Sequence, residues 1–341
     1  MNPTPTPKQQ GFRMPAEWEP HEATWIAWPH NKDDWPGRFA PIPWVYCEII
    51  RKLAEVEKVR VLVQDGDSVK RAQRMLRKVG ANLHNVEFFP IPTNRVWTRD
   101  YAPLFLKNAS GETAITNWIF NAWAKYDDWT LDNAVNTQLI ERLKFRAWEP
   151  GLVLEGGSID VNGSGVLMTT EECLLSPIQA RNPHLTRPEI ERELEDYLGV
   201  DRILWLKDGI VGDDTHGHID DLARFVAPDT VVIATESNEA DENFPILKRN
   251  REILHDQPFR VLELPMPAPV VFEGRRLPAS YANFYIANEL VLAPTFNDPN
   301  DRVALDILAS VFPTRTVAGI HAVELVWGLG TLHCLTQQQP A

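Results

Sequence analysis

Cys334 lies in Gly328-Leu329-Gly330-Thr331-Leu332-His333-Cys334-Leu335-Thr336-Gln337-Gln338, seven residues before the last position of the 341-residue sequence. Chain ends usually fray and carry little chemistry, whereas this one sets a thiol among glycines, a histidine and apolar neighbours in a strand-like run. A nucleophilic sulfur needs a base, charge partners and a pocket, and these must come from elsewhere. Three further polar clusters stand against hydrophobic flanks: Trp97-Thr98-Arg99-Asp100-Tyr101-Ala102-Pro103, Glu155-Gly156-Gly157-Ser158-Ile159-Asp160, and Asp213-Asp214-Thr215-His216-Gly217-His218-Ile219-Asp220-Asp221.

Each cluster has a bland reading beside a chemical one. In an extended segment His216, His218 and Asp220 share a face. A base beside a carboxylate serves proton transfer, His-x-His with aspartates binds metal, and the same residues also suit a solvated loop. The metal reading is weakened because no second His or Cys cluster completes a site. Glu155 ends an apolar run, where a carboxylate is costly to bury unless paired; the alternative is an exposed turn. Asp100 follows Arg99, which reads equally as a surface ion pair worth little. Trp97 is a core candidate as much as a pocket wall. Cys334 alone reads as an inert core thiol, as do Cys47 and Cys173. His333 is a poor base for Cys334, because neighbouring residues of a strand face opposite sides; His218 is the best base available.

Taken together, one thiol, one imidazole and the carboxylates of Asp100, Glu155 and Asp220 form a particular kit. Acyl transfer by Cys and His needs an oxyanion hole rather than three acids. Three acids suit a cation. A guanidinium is planar, permanently charged and paired bidentately by carboxylates. Its carbon is a weak electrophile, but one held by two carboxylates is open to attack by a thiolate.

The elements that must position these groups alternate. Strand-like runs at 59–63, 86–92, 202–206, 259–265 and 316–320, and hairpin signals at Asn162-Gly163, Pro228-Asp229 and Asn288-Glu289, are separated by amphipathic helices. The spacing predicts those helices over 43–57, 68–79, 130–144, 187–198, 242–255 and 301–311. Repeated strand, hairpin and helix units point to a radial assembly with loops converging on an axis; a doubly wound parallel sheet accommodates the hairpins poorly. No linker divides the chain, so residues 12–341 read as one domain after a disordered lead-in over 1–11. The composition, 44% hydrophobic and 24% charged, is that of a globular protein. A formal net charge of -13 argues against nucleic acid as a partner. No apolar run approaches the roughly 20 residues needed to span a membrane, and the start has no hydrophobic signal region, so a soluble cytoplasmic protein is expected. Three scattered cysteines make no disulfide framework and no Cys-x-x-Cys zinc site.

The four clusters come in order with Met14-Pro15-Ala16-Glu17-Trp18-Glu19-Pro20-His21, Thr24-Trp25-Ile26-Ala27-Trp28-Pro29, Ala223-Arg224-Phe225 and His333-Cys334-Leu335-Thr336-Gln337-Gln338. Together they resemble the agmatine deiminase family, which is related to the bacterial peptidyl-arginine deiminases within the guanidino-modifying superfamily. The resemblance runs from about residue 12 to the end of the sequence. It implies a five-bladed α/β propeller of the pentein kind with one active site on its axis. It implies Cys334 as nucleophile, His218 as general acid/base, Glu155 orienting His218, Asp100 and Asp220 gripping the guanidinium, and Trp97 walling the pocket; it assigns His216 no role. It implies hydrolysis of agmatine to N-carbamoylputrescine and ammonia through a covalent thiouronium on Cys334, with no metal or organic cofactor, and a homodimer. Arginine, peptidyl-arginine or another guanidine are the alternative substrates, and a non-catalytic guanidine-binding protein is the alternative of a different class. One departure bears on the substrate. The family usually has three glycines before x-His-Cys, where this sequence has Gly328-Leu329-Gly330-Thr331. Leu329 fits if its position needs no positive φ; otherwise the tail or the substrate wall is altered. The stretch His30-Asn31-Lys32-Asp33-Asp34-Trp35 also differs, and is a candidate to face the substrate's tail.

Overall fold

β-branched and aromatic runs became strands, and amphipathic runs the helices that return between them. The computed structural model describes residues 5–341. The six helical segments lie within a few residues of the predicted ranges: Ile42–Leu53, Gly66–Lys78, Thr130–Asn133 with Val135–Leu143, Arg187–Leu198, Asn243–His255 and Asn300–Val311. Arg187–Leu198 shows why the boundaries were readable. Thr186 and Glu189 close a capping box at its start, and Gly199 at φ 65° ends it.

Of five sheets of three or four strands, four share one construction. An antiparallel hairpin comes first, and then helical chain returns to lay a parallel strand on the hairpin's second arm. The order is Leu104–Asn108, Thr113–Thr116, Arg146–Trp148 in one sheet. It is Asp160–Val161, Val166–Thr170, Arg202–Leu206 in the next. Ala223–Ala227, Thr230–Thr235, Arg260–Pro265 follow, then Tyr285–Ile286, Leu290–Thr295, Thr316–His321. The remaining sheet joins distant parts of the chain. His21–Ala27, Lys58–Val63 and Val86–Pro90 run parallel, and Gln337–Pro340 pairs antiparallel with His21–Ala27. A separate two-stranded hairpin joins Val271–Phe272 to Arg275–Arg276. Middle strands such as Leu290–Thr295 are buried along almost their whole length, which is why they read as continuous apolar runs.

A short turn precedes the first strand of each hairpin sheet, and another precedes Gln337–Pro340. Thr98–Tyr101 comes before Leu104, Gly156–Ser158 before Asp160, and Ile219–Asp221 before Ala223. The loop through Asn283 comes before Tyr285, and the turn through Cys334 before Gln337. All but the Asn283 loop are the clusters singled out in the sequence.

The lead-in expected to be disordered is packed where it is described. Lys8–Gln10 forms a 3-10 turn, Lys8 Nζ donates to Val200 O at 2.6 Å, and Trp148 Nε1 donates to Pro5 O at 3.1 Å. Its proline-rich composition reads as linker, but these donors and acceptors fix it. Residues 1–4 of that lead-in lie outside the described residues. Among the described residues no helix is long and apolar enough to cross a membrane.

Candidate active site

A cavity of about 270 Å³ has Cys334, Asp100 and Trp97 on its wall, together with Trp123, Leu329 and the carboxylates of Asp33, Asp34, Asp128 and Asp214. Glu155, His218 and Asp220 are fully or almost fully buried against Asp100 and Cys334 rather than on that wall. The five residues singled out for chemistry are therefore brought together, three of them behind the two that face the cavity.

Asp100 is fixed through both oxygens. Gly157 N donates to Oδ1 at 3.0 Å and Trp123 Nε1 to Oδ2 at 2.9 Å. Burial pushes its carboxyl up to about 6, against the pull of His218. Gly157 cannot be anything larger: a Cβ there would lie 2.6 Å from His218 Nδ1 and 2.8 Å from Asp100 Oδ1. Glu155 is wholly buried and takes Arg181 Nε on both oxygens, at 3.0 and 3.2 Å. Burial works against its charge, yet the Arg181 guanidinium and His218 hold it below the usual carboxylate range. The exposed-turn reading of Glu155 is thus corrected. The apolar run before it enters the core, and Arg181 supplies the partner that burial demands.

His218 lies among three carboxylates, with Nε2 3.7 Å from Glu155 Oε2 and Nδ1 3.8 Å from Asp100 Oδ1 and 4.0 Å from Asp220 Oδ1. Neither ring nitrogen has a hydrogen-bond partner among the described residues. Burial would lower its pKa, but the Asp100 carboxylate above all raises it well above the ordinary value, which favours the imidazolium. Asp220 Oδ2 lies 2.7 Å from His333 Nδ1 and 3.6 Å from Cys334 Sγ. Its Oδ1 is buried and unpartnered among the described residues. Burial opposes ionisation of Asp220, and the contact with His333 keeps it below the usual range. The Cys334 thiol is driven far up by burial and then by Asp220, Asp221 and Asp100. Trp97 is buried, with the Trp35 ring packed against it at a tilt, centroids 5.6 Å apart.

Several local readings are corrected. His216, His218 and Asp220 do not share a strand face, because Asp213 accepts from the N–H groups of Thr215, Gly217 and His218 and curls the segment. His216 sits at φ 67° and its Nε2 is 3.1 Å from Ser176 Oγ. Arg99 does not pair with Asp100; it is buried against Glu17 at 3.1 Å and donates to Gln338 at 2.7 Å. Cys334 lies in a turn, and the strand begins at Gln337. Both ring nitrogens of His333 are taken up, by Asp220 and Glu17. Cys173, read as inert, is buried beside His218, and its sulfur, a Glu155 oxygen and a His218 nitrogen lie within 4.8 Å of one another. That grouping is no vacant ligand set, since Arg181 already holds Glu155. Cys47 keeps the bland reading, its thiol pushed up to about 12 by burial.

Leu329 occupies φ 70°, ψ 23°, so the departure from glycine falls where glycine matters. The left-handed backbone turns the Leu329 side chain onto the cavity wall. Leu329→Gly is expected to leave the protein more stable than Leu329→Ala by about 1 kcal/mol, since both lose the same packing but only glycine relieves the backbone. Urea unfolding of the two variants checks this, and equal midpoints would show that the backbone there is unstrained.

The residues that sequence reasoning missed are Trp123, Arg181, Glu17 and Asn283. Asn283 alone had a usable signal, its place just before a hairpin. Trp123 is delivered by Ala122, Trp123 and Ala124, all at φ between 50° and 58°.

Known proteins resemble this chain along almost its whole length. The profile of the Porphyromonas-type peptidyl-arginine deiminases matches residues 13–340. The chain is 38% identical to the agmatine deiminase of Pseudomonas syringae pv. tomato, over 98% of this chain and 97% of that one. The agmatine deiminase of Enterococcus faecalis superposes with a TM-score of 0.92 at 32% identity, covering 99% and 98% of the two chains. A cysteine-to-serine variant of the C. jejuni agmatine deiminase with substrate bound superposes with a TM-score of 0.89 at 33% identity, covering 96% of each chain. The chain belongs to the Porphyromonas-type peptidyl-arginine deiminase family.

Proposed function

We propose that this protein hydrolyses agmatine to N-carbamoylputrescine and ammonia. The observation that carries the reading is a thiol and a carboxylate facing one cavity, Cys334 and Asp100, with His218 and Asp220 packed directly behind them. The guanidinium sits between Asp100 and Asp220, whose unpartnered Oδ1 awaits a donor. Burial and three aspartates keep the thiol protonated in the empty site. A bound cation offsets those charges, and the thiol proton leaves to solvent.

The thiolate of Cys334 attacks the guanidinium carbon. The carbon–nitrogen bond breaks as the His218 imidazolium protonates the departing nitrogen, and ammonia leaves. A thiouronium remains on Cys334 and His218 is neutral. His218 then takes a proton from water, the resulting hydroxide adds to the same carbon, and the carbon–sulfur bond breaks. The ureido product sheds one proton, and the thiolate and imidazolium are restored. Glu155, anchored by Arg181, holds the ring nitrogen opposite the reacting face. Trp97 walls the pocket.

The cavity's charge favours agmatine over arginine. Arg95 is the cation on its wall, and it is already paired with Asp34 at 2.9 Å and Asp128 at 2.7 Å and stacked on Tyr126. Among the described residues no free cation on the wall greets an α-carboxylate, whereas Asp33 adds another carboxylate suited to a terminal ammonium. We read the five sheets as blades of an α/β propeller around this cavity, a reading supported by their shared strand order and by the five turns that meet at the site. Residues 12–341 then form one catalytic domain, since one blade draws strands from both ends of that range.

Purified protein incubated with agmatine, arginine and an arginine-containing peptide is expected to release ammonia and form a ureido product from agmatine. The value of kcat/KM for agmatine should exceed that for arginine by about 100-fold or more, the cost of an unpaired buried carboxylate. Equal or faster turnover of arginine would overturn the substrate assignment.

A further inference from the structure

Four of the five turns that meet at the cavity carry the groups used above: Asp100, Glu155, Asp220 and Cys334. The fifth, just before Tyr285–Ile286, carries Asn283. Asn283 is fully buried and its amide is used at both ends. Its Oδ1 accepts from Thr331 Oγ1 at 2.8 Å, from His333 N at 3.0 Å and, weakly, from Cys334 N at 3.4 Å. Its Nδ2 lies 3.0 Å from Asp221 Oδ1 and 3.1 Å from Cys334 Sγ.

These partners fix which way the amide points. A flip would set its oxygen against the Asp221 carboxyl oxygen and its NH2 against two backbone N–H groups. The sulfur therefore always meets an N–H, and in that contact it is the acceptor. The groups facing Cys334 are otherwise anionic or committed. Asp220, Asp221 and Asp100 oppose charge on sulfur. His218 is held among Asp100, Glu155 and Asp220, and His333 is bound to Asp220 and Glu17.

We propose that Asn283 is a catalytic residue, the fixed N–H donor that stabilises the Cys334 thiolate while its carbonyl oxygen clamps the turn that presents the sulfur. The proposal rests on Cys334 being the nucleophile. The N–H contributes most when sulfur is charged, which is during substrate binding and when thiolate departs from the thiouronium. It thus acts as an oxyanion-hole donor acts on oxygen. The same bonds tie the Asn283 loop to Thr331 and His333, so the nucleophile's position and its ionisation are set by one side chain.

The test measures thiolate formation directly. Iodoacetamide alkylation of Cys334, read by peptide mass across pH, reports the thiol's titration without any turnover. Asn283→Ala and the near-isosteric, uncharged Asn283→Leu are both expected to move the midpoint up by about one pH unit or more, a tenfold loss of thiolate at fixed pH. At neutral pH kcat should fall by about 10- to 100-fold. Should Asn283→Ala fail to fold, Asn283→Leu keeps the volume without an N–H or an added charge, and its midpoint is read alone. A midpoint unchanged in a folded variant would overturn the proposal, even if thermal stability dropped. Failure of the underlying reading looks different: Cys334→Ser would then keep turning over agmatine, whatever the alkylation profile of Asn283 variants.

Discussion

Cys334→Ser lowers deimination by about 10⁴-fold or more, the expected consequence of replacing a nucleophilic sulfur by a hydroxyl some seven pKa units weaker as an acid. The variant should fold and melt as the parent does. Serine is smaller than cysteine by a fraction of a methyl group, and its hydroxyl can accept from Asn283 and donate to Asp220 at the positions the sulfur now uses. Substrate binding should survive, because the guanidinium is held by Asp100 and Asp220 rather than by sulfur. Calorimetric titration of agmatine into the variant checks binding, and ureido production checks turnover. Retained ureido production would remove Cys334 from the nucleophile's role.

Glu155→Gln is the second large effect, and it acts on stability and rate together. Arg181 is buried with Glu155 as its carboxylate partner, and its other donors go to the backbone oxygens of Gln179 and Thr215. Removing the negative charge leaves a guanidinium in the core without a counter-ion, which costs about 3 kcal/mol. His218 also loses a carboxylate at 3.7 Å. Its pKa falls, because the charge that favoured the imidazolium is gone. The imidazolium is needed to protonate the leaving nitrogen, so the alkaline limb of the rate profile moves to lower pH, and kcat drops by about 100-fold. Urea unfolding and a kcat profile across pH measure the two effects. A variant as stable as the parent, with an unmoved alkaline limb, would show that Glu155 neither balances Arg181 nor tunes His218.

Asp100, Glu155, His218, Asp220 and Cys334 were legible because each is a titratable or nucleophilic group where an apolar run breaks, and such groups are costly to bury without purpose. The strands and helices were legible from periodicity and from caps such as Thr186 with Glu189. Asn283 and Trp123 were not, since an amide and an indole are common in cores and their value here lies in hydrogen bonds to residues distant in sequence. Arg181 was hidden for the same reason: it acts through Glu155, 26 residues away. The extended reading of 216–220 failed because a single side chain, Asp213, captured three backbone donors, a local competition that alternation of residue types does not register. The left-handed turn at 122–124 contains no glycine; Asn121 caps it by accepting from Ala124 N at 2.9 Å, and the Trp123 bond to Asp100 ties it to the site.

The pairing of Gln337–Pro340 with His21–Ala27 has a consequence for how the protein comes into being. These partners are separated by some 300 residues, so their contact ranks among the most non-local in the fold and forms only after the residues between them have been made. Until then one edge of the His21–Ala27 strand stands open, and an open edge can pair with another chain. The thiol sits three residues ahead of that closing strand. A chain halted short of residue 334 therefore lacks both Cys334 and the strand that covers this edge.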